Sequence, residues 1–136
     1  MSTEAFQGNF SSLAKIAEYV RQSAQGTGLD GASLYAVESA VDEACTNIIE
    51  HAYGGEGIGD IQCTCLTDAN TLTIILQDQG RPFDPAKICI PDISAPLDER
   101  LSHGLGLYLI HQFMDEVHFE FTQTSGNILK MTKYIH

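Results

Sequence analysis

The chain has 136 residues, of which 43% are hydrophobic and 18% charged, so it can fold as one globular domain with its own core and is unlike a disordered chain. Its formal net charge is −11 with only 7 Lys and Arg residues, which excludes the basic surface that binds nucleic acids or anionic membranes. Any phosphate site must therefore be built from backbone amides, a helix end or a metal ion.

The N-terminus lacks the charged and apolar pattern of a signal peptide, and no apolar run approaches the length of a membrane span. A cytoplasmic protein without membrane contact is therefore expected. Two of the four cysteines, Cys63 and Cys65, are too close together for a common zinc spacing, and in a strand they point to the same face. We expect the cysteines to be small buried hydrophobic residues in a reducing compartment.

Two helices are predicted in the N-terminal part of the chain. The first spans about 11–25 and can be capped by Ser11 or Ser12. The second spans about 31–52 and can be capped by Asp30. Apolar side chains recur at helical spacing along the second helix and form one stripe, made of Leu34, Val37, Val41, Ala44, Cys45, Ile48 and Ala52.

Five strands are predicted, at 4–10, 61–66, 72–77, 117–122 and 128–134. The first is a short edge strand, and the third is the most continuously apolar and therefore the most central. Two segments between strands, Asp68-Ala69-Asn70 and Thr124-Ser125-Gly126-Asn127, have the composition of hairpin turns.

Regular patterning stops after the third strand, and all four prolines of the chain fall within 79–103. A loop this long inside a compact domain is either a lid over a site, here about 84–103, or a surface loop folded over the sheet. A third helix is predicted over about 104–115. This order of elements predicts a single α+β domain over 1–136, a two-layer α/β sandwich in which about three helices cover a mostly antiparallel sheet.

Glu43 and Asn47 are four residues apart on the second helix, so they lie one turn above each other. A carboxylate and a carboxamide stacked in this way could serve as a general base and as a ligand of a hard cation. They could equally be two solvated residues, because polar side chains opposite an apolar stripe are expected of any surface helix.

Two glycine motifs follow along the chain. Asp78 and Gly80 come directly after an apolar strand, where the carboxylate could accept a hydrogen bond from an exocyclic amine and the glycine could admit a flat ring. The same pattern is also an ordinary turn. Gly104 and Gly106 open the third helix, whose first amides suit an anion, although glycines there can also be simple caps.

Together and in this order, the three motifs resemble those of the GHKL ATPase family, the nucleotide fold of gyrases, histidine kinases, chaperones and mismatch-repair proteins. The resemblance covers about 13–134. The segment from Glu43 to Tyr53 resembles the N box, 78–82 the first glycine box and 104–110 the second. Within the family, the single small domain with a short lid is most similar to the anti-sigma-factor serine-protein kinases of bacterial partner-switching systems. The resemblance implies a Bergerat-type ATP-binding fold.

The resemblance also implies ATP and Mg²⁺ as cofactors. Asn47 would bind both the metal and the nucleotide, and Glu43 would be the catalytic base near the γ-phosphate. Arg81 would contact the γ-phosphate or else pair with a surface acid. Glu50 and His51 would be structural or surface positions.

The remaining nucleotide contacts implied by the resemblance come from the glycine boxes. Asp78 would accept a hydrogen bond from the adenine amino group, and Gly80 would leave room for the ring. Gly104, Leu105 and Gly106 would place the first amides of the helix on the phosphates.

The function implied by the resemblance is an ATP-dependent serine-protein kinase that phosphorylates an anti-anti-sigma-type protein and sequesters a sigma factor or a similar regulator. A homodimer through the sheet edge is also implied. One alternative is a non-catalytic binding module in which the nucleotide only sets the shape of the lid. Another is a small acidic domain without a nucleotide site, in which the three motifs are caps and turns.

Overall fold

Five strands form one antiparallel sheet, with β1 at Ser2–Gln7, β2 at Asp60–Thr67, β3 at Thr71–Asp78, β4 at Glu116–Thr122 and β5 at Gly126–Tyr134. Their order across the sheet is β1-β2-β3-β5-β4, so β3 lies at the centre and β1 is an edge strand, as predicted. The structure is a computed structural model that describes residues 2–82 and 105–136, and only the backbone of 105–108. The predicted lid and Gly104 lie outside the described residues.

Within the described residues, three helices cover one face of the sheet: α1 at Leu13–Ala24, α2 at Gly31–Asn47 and α3 at Leu105–Phe113. A 3-10 turn at Phe10–Ser12 precedes α1, and a π-helical turn at Ile48–Ala52 continues α2. Helix α2 is central, because it packs against both α1 and α3 as well as against β3. The predicted α+β sandwich with a largely antiparallel sheet and about three helices is therefore confirmed.

The core lies between the helices and the inner face of the sheet. Strand alternation puts Cys63 and Cys65 on this face, and Cys45 meets them from α2. These three cysteines are buried and free, which confirms the prediction for them, whereas Cys89 lies outside the described residues. The largest fully buried side chains come from every layer and include Ile16, Val20, Val37, Val41, Ile49, Ile61, Leu72, Ile74, Leu76, Ile110 and Met131.

The two predicted helix caps have different outcomes. Asp30 caps α2 as predicted, since its side chain accepts a hydrogen bond from Ser33 N at 2.7 Å. The serine cap of α1 is wrong. Ser11 and Ser12 lie in the 3-10 turn. An N-cap residue normally has an extended backbone, whereas Ser12 already has helical backbone angles, and its side chain makes no capping hydrogen bond.

The predicted hairpin turn at 124–127 is too long at its C-terminal end. Gly126 and Asn127 belong to β5, where Asn127 pairs with Asp78 of β3. Among the helices that the structure describes, none has both the length and the apolar character needed to cross a membrane.

Candidate functional site

Glu43 lies near the end of α2 and is half-buried. Burial raises the pKa of this carboxyl above its usual value of 4.5, and the negative charges of Asp42 and Glu50 raise it further. A carboxylate with a raised pKa holds a proton more readily than a solvated one, which is the property that a general base needs.

Asn47, one turn further on, is the last residue of α2. Its Nδ2 atom is buried and has no hydrogen-bond partner among the residues that the structure describes. An unpaired buried polar group costs about 1–3 kcal/mol, so a further hydrogen-bond partner is expected for this carboxamide. Because the oxygen and nitrogen of an Asn side chain are distinguished only by their hydrogen bonds, the amide can equally present Oδ1, the atom that would bind a metal.

The π-helical turn after Asn47 connects α2 to the end of β3. Its wider hydrogen bonding is marked by Tyr53 N, which donates to Ile48 O at 2.9 Å. The predicted helix therefore reaches residue 52, but it changes type after residue 47. Such turns occur frequently at functional sites. In this protein the carbonyls of His51 and Ala52, at the end of the turn, both accept hydrogen bonds from Arg81. The side-chain Nη2 of Arg81 donates to His51 O at 2.9 Å, and its backbone N donates to Ala52 O at 2.8 Å.

Gly80 is held against the same turn. A Cβ atom at this position would lie 2.6 Å from the carbonyl carbon and oxygen of Ala52. Only glycine allows the two backbones to approach this closely. The structure thus supplies a packing reason for Gly80, and its role in admitting a flat ring stays a prediction.

Asp78 ends β3 and is 2% exposed. Its Oδ1 accepts two hydrogen bonds of 2.8 Å, from Gly80 N and from the side-chain Nδ2 of Asn127. Its Oδ2 receives no hydrogen bond from residues 2–82 or 105–136, so one oxygen is fixed and the other remains available as an acceptor. Burial raises the pKa of this carboxyl, and the two hydrogen bonds oppose the rise.

Asn127 is the residue of this site that the sequence reading missed, because it was placed in a hairpin turn. It is 2% exposed, and its Nδ2 also donates to Arg81 O at 2.8 Å. A signal was present in the sequence, since Asn127, Leu129 and Met131 alternate along one strand and share its inner face. A polar residue in that register is expected to meet a polar partner on the neighbouring strand.

Tyr53 joins the turn to the ends of two strands. Its hydroxyl donates to Asp60 O at 2.6 Å and accepts from Gln79 N at 3.0 Å. A cleft of about 700 Å³ opens beside it, lined by Tyr53, Asp78, Gly80 and Arg81 among other residues. The residues at the end of β3 and those at the end of the π-helical turn therefore line the same ligand-sized cleft.

A family model described as the histidine kinase-like ATPase domain matches residues 6–133. The chain belongs to the histidine kinase-like ATPase domain family. The resemblance read from the three motifs is thereby confirmed, and it extends over almost the whole chain.

Curated relatives of this family member are serine-protein kinases named RsbW. One, from Bacillus cereus strain AH820, is 40% identical over 100 residues, which cover 71% of this chain and 61% of the relative. Another, from Bacillus cereus strain AH187, is 36% identical over 116 residues, covering 82% of this chain and 71% of the relative. The chain thus spans about three fifths of the length of the first relative.

Solved structures with the same fold are histidine kinase domains. The catalytic domain of histidine kinase ThkA has a TM-score of 0.58 at 15% identity and covers 99% of this chain and 98% of its own. The histidine kinase domain of the blue-light activated kinase EL346 from Erythrobacter litoralis has a TM-score of 0.56 at 17% identity, covering 93% of this chain and 60% of its own. At these identities the likeness concerns the fold alone.

Within this histidine kinase-like ATPase fold, the predicted site residues fall into two groups. Gly80 packs against the π-helical turn that continues from Asn47 and the helix of Glu43, and its N–H donates to Asp78, so the first two motifs adjoin each other. Leu105 and Gly106 are the first two residues of α3, which packs against α2. The structure describes only the backbone of Leu105 and Gly106, and Gly104 lies outside the described residues. Glu50 and His51 are exposed, as expected for surface positions.

Proposed function

We propose that this chain binds ATP with Mg²⁺ and acts in the cytoplasm as a serine-protein kinase. It would phosphorylate an anti-anti-sigma-type protein and sequester a sigma factor or a similar regulator. The observation that carries the proposal is the buried Asp78 carboxylate, anchored on one oxygen and open on the other, beside the continuation of the helix that bears Glu43 and Asn47. The 40% identity to a serine-protein kinase supports the choice of substrate class.

The base of the nucleotide is the part that Asp78 would recognise. Its free Oδ2 would accept a hydrogen bond from the 6-amino group of adenine, whereas a base with a carbonyl there would present an acceptor to an acceptor. Hydrogen-bond discrimination by a buried group is strong, because the wrong ligand leaves that group unpaired.

The phosphates and the metal are the parts that Asn47 would hold. The described residues contain no cluster of three or more His, Cys, Asp or Glu side chains. This fits a Mg²⁺ ion bound by a single amide oxygen, with phosphate oxygens and waters completing its shell, as Mg²⁺ prefers. Bound there, the ion would neutralise charge on the phosphates, and the amides at Leu105 and Gly106 would add helix-end donors.

Glu43 would act on the protein substrate. Its carboxylate would take the proton of a serine hydroxyl as that oxygen bonds to the γ-phosphorus and the bond to the β-phosphate oxygen breaks, releasing ADP. Phosphoryl transfer depends mainly on positioning and charge neutralisation, so one base, one metal ligand and a few amides are enough in kind.

Calorimetric titration with ATP, with and without Mg²⁺, tests the binding step. We expect magnesium-dependent binding that Asn47→Ala abolishes and that Glu43→Gln preserves. Incubation with ATP and an anti-anti-sigma-type protein of the same organism tests the transfer, and phosphoserine should form with the wild type and not with Glu43→Gln. Absence of ATP binding in the wild type would refute the proposal. Nucleotide-dependent partner binding without phosphoserine would instead identify a non-catalytic binding module.

A further inference from the structure

Lys133 is a charged residue on the face of the sheet that the helices cover. Strand alternation places it in register with Asn127, Leu129 and Met131, which share the inner face of β5. A half-buried lysine in such a position must either reach water with its ammonium group or find an acceptor within the protein. Lys133 does the second, since its Nζ donates to the backbone oxygen of Phe113 at 2.8 Å.

Phe113 is the last residue of α3, so this hydrogen bond caps the helix at its C-terminal end. The last carbonyls of a helix have no partner within it and carry partial negative charge, and a lysine ammonium group satisfies both needs. The turn that follows is bonded to the same strand. Asp115 N donates to Thr132 O at 2.9 Å, and the Asp115 carboxylate accepts from Tyr134 N at 2.7 Å. The C-terminal end of α3 is therefore held on the last residues of β5.

The ammonium group of Lys133 also acts on the start of α2. The pKa of Asp30, the N-cap of that helix, is lowered chiefly by hydrogen bonds from Ser33, and the positive charge of Lys133 contributes to the decrease. Lys133 is thus close enough to influence both the end of α3 and the beginning of α2, two helices that pack against each other. The opposite end of α2 carries Asn47.

Strand β5 therefore supports the proposed nucleotide site at two places. At its start, Asn127 holds Asp78, which would recognise the base. At its end, Lys133 holds α3, whose first amides, those of Leu105 and Gly106, would bind the phosphates. A helix of 9 residues is about 13 Å long, so a tilt of about 5° around its C-terminal end moves its first amides by roughly 1 Å. A displacement of this size weakens hydrogen bonds to phosphate oxygens, because these bonds depend steeply on distance and angle.

We propose that Lys133 is a positioning residue of the nucleotide site. By fixing the C-terminal end of α3, it sets where this helix presents its first amides to the phosphates. The inference rests on the proposed function, and it adds a residue that lies outside all three sequence motifs. Lys133 should therefore govern phosphate binding and leave recognition of the base to Asp78. A lysine that served folding alone would lower stability when replaced and would leave the affinities of the folded protein unchanged.

A comparison of ATP with adenosine tests this role, because the two ligands share the base and differ in the phosphates. Lys133→Met nearly keeps the length of the side chain and removes the ammonium group. Lys130→Met removes the same charge from an exposed position of the same strand and is the matched control. In NMR titrations with Mg²⁺, ATP affinity should fall at least about fivefold in Lys133→Met and less than about twofold in Lys130→Met.

Adenosine affinity should change less than about twofold in both lysine variants, because neither acts on the base. Lys133→Arg should restore most of the ATP affinity, since a single carbonyl needs only a charged donor. Asn127→Ala should give the opposite pattern and weaken ATP and adenosine alike, because it acts through Asp78. Equal losses of ATP and adenosine affinity in Lys133→Met would overturn the proposal. A lower melting temperature with both affinities unchanged would overturn it as well.

Amide spectra recorded without nucleotide test the positioning of α3 independently of the proposed function. Lys133→Met should shift the amide signals of Leu105 and Gly106, at the far end of α3. Lys130→Met should leave both signals in place. Shifts confined to Phe113 and its neighbours would overturn the inference even if ATP binds. If the wild type binds no ATP, the proposed function fails, and these spectra still decide whether Lys133 sets the position of α3.

Discussion

Asn127 donates a side-chain hydrogen bond to Asp78 over 2.8 Å, although 49 residues separate the two in the chain. The first residues of β5 thus hold the carboxylate that ends β3. Gly126 makes this approach possible, because a Cβ there would lie 2.1 Å from Asp78 O. The nucleotide site that we propose therefore depends on a strand outside all three of the sequence motifs.

Replacing Asn127 by Ala should free the Asp78 carboxylate and also leave Arg81 O without its donor. We expect the free energy of unfolding to fall by about 1–3 kcal/mol, because buried polar groups lose their partner. ATP affinity, measured by calorimetry, should fall at least about fivefold, since Asp78 would no longer be held in one orientation. The control is Asn70→Ala in the exposed β2–β3 turn, which should change neither quantity. Equal behaviour of the two variants would contradict the anchoring role.

Replacing Gly80 by Ala should force Ala52 and the π-helical turn apart. Backbone atoms 2.6 Å from the new Cβ cannot rotate away, so we expect a loss of about 1–3 kcal/mol in urea denaturation. Gly31→Ala is the matched control, because at the start of α2 nothing lies within 4 Å of the added methyl. That change should be neutral or stabilise by up to about 1 kcal/mol. A Gly80→Ala protein as stable as Gly31→Ala would show that the turn yields easily.

Replacing Tyr53 by Phe should weaken the link between the turn and the strand ends. The change removes the donor to Asp60 O and the acceptor of Gln79 N, two hydrogen bonds each worth about 0.5–1.5 kcal/mol. Tyr35→Phe provides the comparison, because Tyr35 is 68% exposed and its hydroxyl makes no hydrogen bond to any residue that the structure describes. We expect thermal denaturation to show a clear loss for Tyr53→Phe alone, and a similar melting temperature for both variants would argue against the link.

Replacing Glu43 by Gln should change how stability depends on pH. Burial, with the charges of Asp42 and Glu50, raises the pKa of Glu43 in the folded protein above the usual value of 4.5. Between these two values the folded state binds more protons than the unfolded state, so stability falls as pH rises through that window. Glu43→Gln cannot lose a proton at this position, so its free energy of unfolding does not fall for this reason as pH rises.

The free energy of unfolding of Glu43→Gln minus that of the wild type should therefore increase from about pH 4 towards neutral pH and then level off. Urea denaturation at several pH values measures this difference. A difference that shrinks with rising pH would mean that the folded protein stabilises the charged form of Glu43.

Several features of the fold were predictable because their causes are local. The Asp30 cap involves an amide three residues away, and the burial of Cys63 and Cys65 follows from strand alternation. The serine cap of α1 failed because the preceding residues form a 3-10 turn, which leaves Ser12 in a helical conformation. Composition alone does not distinguish these two conformations of a serine.

The sequence by itself determined the order of helices and strands, the apolar stripe of α2 and the three motifs that identify the family, because periodicity and motif spacing are properties of the chain in order. Only the tertiary structure decided which residues meet. It set Asn127 against Asp78, closed Gly80 onto Ala52 and turned the end of α2 into a π-helix that receives Arg81. These contacts join residues far apart in sequence, and they form only when the sheet register and the packing of α2 are satisfied together.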